Sequence, residues 1–211
     1  MNGKQNDLKI IYCRGGDKTA PAIAKYSGMK YGLRYNYTAY SKDVYMVDAG
    51  LSPKWTTYIK RLRQLRPKFA LTPDYVSFDP IQLQLRYMDV IQYASRVGVC
   101  PKFSGAIYDI PDNAIICESI PSSYAGWLIP DNEIIPNRDY HLLGGDPVLQ
   151  KQEINRINSL GGRVVSVDGN KIAMKASHGQ VFINGRWVPT NDTTFNNAKI
   201  SAKNVVKYLL S

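Results

Sequence analysis

Cysteine is scarce. The three cysteines, Cys13, Cys100 and Cys117, stand far apart with no C-x-x-C pair, so a disulfide framework or a zinc clasp by spacing is excluded. Histidine is scarcer still, only His141 and His178, so no structural metal is expected and no cofactor is implied. His141 lies inside an apolar run and reads as a packed core residue; His178 sits beside a loop. No apolar run reaches the roughly 18 residues of a membrane-spanning helix. The N-terminus shows no signal-peptide pattern, so a soluble protein of a reducing cytoplasm is expected. Neither a G-x-S-x-G elbow nor a G-x-x-x-x-G-K-[ST] phosphate loop occurs, which removes those routes to hydrolase and nucleotidase chemistry.

Acidic residues are also in deficit, 17 against 27 Lys and Arg, and the net charge of +10 makes a polyanion the first partner to consider. Fifteen Tyr are present, six of them (Tyr26, Tyr31, Tyr35, Tyr37, Tyr40, Tyr45) in one stretch interleaved with Lys25, Lys30, Arg34 and Lys42. Aromatic faces stack on bases while nearby cations hold phosphates, although Tyr is equally a half-buried packing residue.

Short apolar runs alternate with amphipathic stretches, the pattern of βαβ units. Strands are expected at 8–13, 30–34, 44–47, 69–71, 97–100, 114–117, 141–143 and 163–167. Helices are expected after Thr19, over 53–65 with Ser52 as cap, over 80–94 with Asp79 as cap, and from Asp146-Pro147 to Leu160. The helix over 53–65 carries Lys54, Lys60, Arg61 and Arg63 away from its apolar residues, a surface suited to a nucleic-acid backbone. Asn184-Gly185 marks a hairpin, and a last helix runs from about Asn197 to Leu210. Eight mostly parallel strands give an α/β fold, a compact (β/α)8 TIM-type barrel, with an open doubly wound sheet as the alternative. One domain over 1–211 is expected, with 178–211 as a hairpin-plus-helix extension. The length is below the usual 250 or so residues of such barrels, so lean loops and missing helices are expected.

Several strands end in an acid: Asp48 after VYMV, Asp74 after FALTP, Glu118 after AIIC and Asp168 after VVSV. In a parallel barrel all strand C-termini share one face, where the chemistry sits. Acids aimed at one mouth repel each other, a cost more often functional than accidental. Gly169 directly after Asp168 gives a ligand room to approach, and Gly144-Gly145 leads into a helix N-terminus that favours a polar or anionic group.

HLLGGDP, a helix, and then VVSVDGN resemble the end of the barrel of tRNA-guanine (queuine) transglycosylases. The resemblance is closer to their short phage-encoded relatives, the DpdA proteins, which put 7-deazaguanines into DNA. IIYCRGG, YGLR, RPKFALTPD and ESIPSSYAG agree in order, so the likeness covers most of 8–180. The resemblance implies a pentosyltransferase that exchanges guanine for a free 7-deazaguanine such as 7-cyano-7-deazaguanine. It further implies DNA as substrate, with RNA open, and the host cytoplasm as location if the chain is phage-encoded. It implies Asp168 as nucleophile, Asp48 as proton carrier and Asp74 as reader of the base's Watson–Crick edge. Glu118, Ser119, Ser122, Ser123 and Tyr124 would help hold the base, and Leu143, Gly144 and Gly145 would line the site. The chain departs from the tRNA enzymes in lacking their Cys-rich zinc element and in reducing a D-S-G-G motif to Asp48-Ala49-Gly50. A base-releasing glycosidase and a non-catalytic nucleic-acid-binding barrel are the alternatives.

Overall fold

The computed structural model describes residues 8–14, 16–121 and 126–211. Eight parallel strands close into a barrel in sequence order. They are β1 (Lys9–Cys13), β2 (Lys30–Arg34), β3 (Met46–Asp48), β4 (Phe69–Leu71), β5 (Arg96–Val99), β6 (Ile115–Ser119), β7 (Asp139–Leu143) and β8 (Arg163–Gly169). Closure is made by β1 against β8, with Ile11 opposite Asp168. The expected (β/α)8-type barrel is present, and the open sheet is not.

The helices are α1 (Ala20–Ser27), α2 (Trp55–Leu65), α3 (Pro80–Ile91), α4 (Pro147–Ser159), α5 (Lys171–Ser177) and α6 (Thr194–Leu210). Two of the expected caps form: Asp79 accepts from Gln82 N–H and Asp146 from Val148 N–H, each ahead of a proline that fits the first turn. Two do not. Thr19 turns its hydroxyl to Asp17, and Ser52 lies too early, because α2 begins after Lys54, which supplies no side-chain cap. Among the described residues, the connections β2–β3, β5–β6 and β6–β7 carry no α-helix, only loop or single 3-10 turns at Ala106–Asp109 and Asp131–Glu133, which is how eight strands fit this length. The hairpin β9 (Gln180–Ile183) and β10 (Arg186–Pro189) turns at Asn184-Gly185, both at positive φ. Ala198, Ala202, Val205 and Leu209 of α6 join the core formed by α1 and the barrel wall, so the C-terminal segment completes the helical ring.

Strand side chains alternate between two apolar layers. Outward residues such as Ile10, Tyr12, Leu33, Val47, Ala70, Val97, Ile116, Tyr140 and Val167 meet the helices. Inward residues Ile11, Met46, Phe69, Leu71, Cys100, Ile115 and Cys117 fill the barrel. Gly98 of β5 faces the same interior. A Cβ there would lie 2.5 Å from Cys117 Sγ, 2.7 Å from Leu71 and 2.9 Å from Phe69, so only glycine leaves room for its neighbours. Gly98→Val is expected to destabilise the fold by about 3 kcal/mol in denaturant titration, the upper range for overpacking. An unchanged midpoint would show that the interior holds space for the three added carbons.

Candidate active site

Asp168 is the centre of the site. It ends the inward face of β8 with 7% of its surface exposed. Its position depends on an irregularity. Tyr140 pairs with Val164 but His141 with Ser166, so β8 carries one extra residue at that point. The insertion resets the alternation and turns Ser166 and Asp168 toward His141, inside the barrel. The Gly144 N–H donates to Asp168 Oδ1 at 2.9 Å. Gly144 and Gly145 both hold positive φ, and a Cβ on Gly145 would strike Ile120 at 2.4 Å, so this turn requires glycine. Gln150 of α4 ties the two loops by donating to Gly144 O (2.6 Å) and Asp168 O (2.7 Å).

Burial pushes the Asp168 carboxyl up to about 7; the Gly144 N–H opposes the rise, Asp48 adds to it, and a hydrogen bond from the Cys13 thiol opposes it again. Cys13, at the end of β1, remains a thiol because burial carries it well above its usual range.

Asp48 ends β3 on the same face. It accepts from Gly50 N–H at 2.7 Å and lies 3.6 Å from Arg34 Nε at the end of β2. Asp74, beyond β4, pairs with Lys102 beyond β5 at 3.3 Å, both side chains largely covered. Burial raises the Asp74 carboxyl, and the Lys102 ammonium beside it draws it back. Asp48, Asp74 and Asp168 therefore converge closely enough that all three charges act on the Cys117 thiol below them. Leu143 packs against the interior cluster beneath.

Glu118 does not join them. Cys117 and Ser119 flank it and take the inward face, so Glu118 points outward and is fully buried against α4. It accepts from Ile129 N–H (2.8 Å) and Arg156 (2.7 Å), and Arg156 also meets Asp131 and Glu153. Burial lifts Glu118 to about 7 despite these partners. This is a structural ion network, and the acid count at the mouth falls from four to three. Ser119 sits at the end of β6, where its carbonyl receives the Trp127 N–H. Ser122, Ser123 and Tyr124 lie outside the described residues.

The basic helix separates into two parts. Lys54, Lys60 and Arg63 are exposed, with Lys60 and Arg63 lining an outer groove against Asp89 and Tyr93 of the α3 end. Arg61 is partly buried and donates to Tyr37 O at 2.8 Å, which ties it to the β2–β3 connection. Of the six clustered tyrosines, Tyr26, Tyr37 and Tyr40 are exposed. Tyr31 is buried and Tyr35 stacks edge-on against Tyr58, which makes both packing residues.

Lys102, Cys13 and Arg34 are site residues that strand-end reading missed. Arg34 ends the strand expected at 30–34 and Lys102 closely follows the one at 97–100, and those positions were the available signal. Among the described residues no cluster of His, Cys, Asp and Glu suits a metal ion, and no helix is long and apolar enough to cross a membrane.

The model of a family of unknown function, DUF6610, matches residues 24–209. The chain belongs to that family. No curated protein matches the sequence. The matched span of this DUF6610 member takes in Asp48, Asp74, Lys102, His141 and Asp168, and leaves out Cys13.

A carboxyl raised from the unfolded value near 4 to about 7 in the folded state binds more protons folded than unfolded across that window. Its contribution to stability is therefore intact below pH 4 and lost progressively as pH rises toward 7. Asp168→Asn should then stabilise the protein at pH 8 by on the order of 3 kcal/mol and change little near pH 4. Denaturant midpoints across that range measure it, and a pH-independent difference between the two proteins would contradict the buried, proton-binding carboxyl.

Proposed function

We propose that the protein is a DNA-guanine transglycosylase that exchanges guanine for a 7-deazaguanine through a covalent aspartyl-sugar intermediate. The observation that carries this reading is a buried carboxylate, Asp168, at the barrel mouth, under a backbone N–H and within the field of a second carboxylate, Asp48. Two such carboxylates are the apparatus of double displacement.

The ionised Asp168 attacks C1′ of the target nucleotide, forming the O–C1′ bond as the C1′–N9 bond breaks. The departing guanine takes a proton from Asp48. The incoming 7-deazaguanine returns one to Asp48 from its own N9–H, attacks C1′ from the opposite face and restores Asp168 as carboxylate. No water enters the balance, and its exclusion prevents the ester from hydrolysing to an abasic site.

Asp74 accepts from N1–H and the 2-amino group of the base, which an ionised carboxylate can do with both oxygens. Its Lys102 partner supports that charge state. Leu143, Gly144 and Gly145 lie beside the nucleophile, and Ser119 lies across the mouth at the end of β6. Exposed Lys54, Lys60 and Arg63, with Tyr37 and Tyr40, bind the strand, and the base leaves the stack to reach the mouth.

The decisive test incubates the protein with guanine-containing DNA and labelled guanine or 7-cyano-7-deazaguanine, then reads label in digested nucleosides. Incorporation that Asp168→Asn abolishes, with DNA binding retained, is the expected result. Abasic sites without incorporation would make it a glycosidase, and binding without chemistry, indifferent to all three aspartates, a nucleic-acid-binding barrel. DNA affinity should fall steeply between about 50 and 200 mM salt; a flat response would remove the phosphate-binding role of the basic residues.

A further inference from the structure

His141 is fully buried inside the barrel, directly below Asp168. Its ring stands edge-on to Phe69, with centroids 4.9 Å apart. Nδ1 is 2.8 Å from Ser166 Oγ. Nε2 points at Asp168 Oδ1 from 3.8 Å and has no hydrogen-bond partner. A buried donor left without an acceptor costs about 1–3 kcal/mol, so a fold does not retain one without return. Burial holds the imidazole neutral, with its pKa lowered to about 3, and the ring therefore carries one proton. The roles at the Nδ1–Ser166 contact follow the tautomer, and with the Ser166 hydroxyl as donor the ring proton falls on Nε2.

We infer that His141 is a positioning residue for Asp168, its Nε2–H closing on Oδ1 whenever that carboxylate is ionised. The distance to cover is about 1 Å beyond an ordinary hydrogen bond. Ser166 prevents the ring from turning away. The other groups facing Asp168 are the Cys13 thiol from β1, Asp48 from β3 and the Gly144 N–H from the turn after β7. Asp48 is the one of these that opposes ionisation, and His141 offsets it from below without carrying charge. A Ser–His–Asp hydrolytic triad is not formed, because Ser166 is 3% exposed beneath the site and no substrate reaches it.

That this serves base exchange rests on the function proposed above; the effect on Asp168 itself does not. The test is therefore a carboxyl-carbon NMR titration of aspartate-labelled protein, with the Asp168 signal assigned by its loss in Asp168→Asn. In His141→Leu the Asp168 midpoint should move to higher pH, the acid constant falling about tenfold. His141→Gln, whose amide N–H lies near the place of Nε2, should bring it most of the way back. Ser166→Ala, which frees the ring but keeps it, should raise the midpoint too and serves if His141→Leu does not fold. A midpoint unchanged in a folded His141→Leu or in Ser166→Ala overturns the inference, as does nitrogen NMR placing the ring proton on Nδ1. An inactive wild type that still shows the shift would sink the transglycosylase reading alone.

Discussion

Closure of eight parallel strands on one another is the constraint on which the site depends. Once β1 pairs with β8, every strand has one face toward a narrow interior and one toward the helices. A strand-end acid reaches the mouth only if its parity points it there. Asp48 follows the inward Met46 by two residues and meets that condition. Glu118 follows the inward Cys117 by one and fails it, so the same residue chemistry becomes a buried ion network with Arg156. Asp168 meets it because β8 carries an extra residue opposite the Tyr140–His141 step. The nucleophile candidate thus owes its orientation to a bulge, a feature that recurs next to active sites because it re-aims one side chain without moving the sheet.

Electrostatics at the mouth follow from that geometry. Three carboxylates share a low-dielectric opening, and each has a different companion: Arg34 for Asp48, Lys102 for Asp74, and only neutral donors for Asp168. The third is left poised between its acid and its base form near neutral pH. Unequal environments around like groups are what divide one set of carboxylates into different chemical roles.

Much of this was legible in the sequence. Short apolar runs at regular spacing gave the strand count, and Asp146-Pro147 and Asp79-Pro80 announced their helices because capping is a local interaction. Gly144-Gly145 was recognisable for the same reason, as a turn whose dihedrals exclude other residues. What local pattern cannot carry is information from a neighbouring strand. The bulge in β8 exists only relative to β7, and the Asp74–Lys102 pair joins residues 28 positions apart. Glu118 is an intermediate case. Counting alternate positions from Cys117 would have turned it outward, but a strand read as ending at Cys117 left the next residue without a face. The short α5 was passed over because seven residues of mixed character give too few turns to show a period.

The distribution of charge adds a last step. A net charge of +10 in a chain whose mouth gathers three carboxylates means that the cationic excess is carried elsewhere. Part of it is consumed internally: Arg156 within the Glu118 network, Arg61 on the Tyr37 carbonyl, and Arg96 and Arg163 on Asp139 at the opposite end of the barrel. The remaining exposed cations include Lys54 just ahead of α2 and Lys60 and Arg63 on it, the helix that begins directly after the loop from Asp48. A polyanion drawn to that helix meets repulsion if its phosphates enter the mouth. The favourable arrangement keeps the backbone outside on the cations and presents only a neutral group to the carboxylates. A base extended from its strand satisfies both demands, because its hydrogen-bond donors face the acids while its charge stays behind.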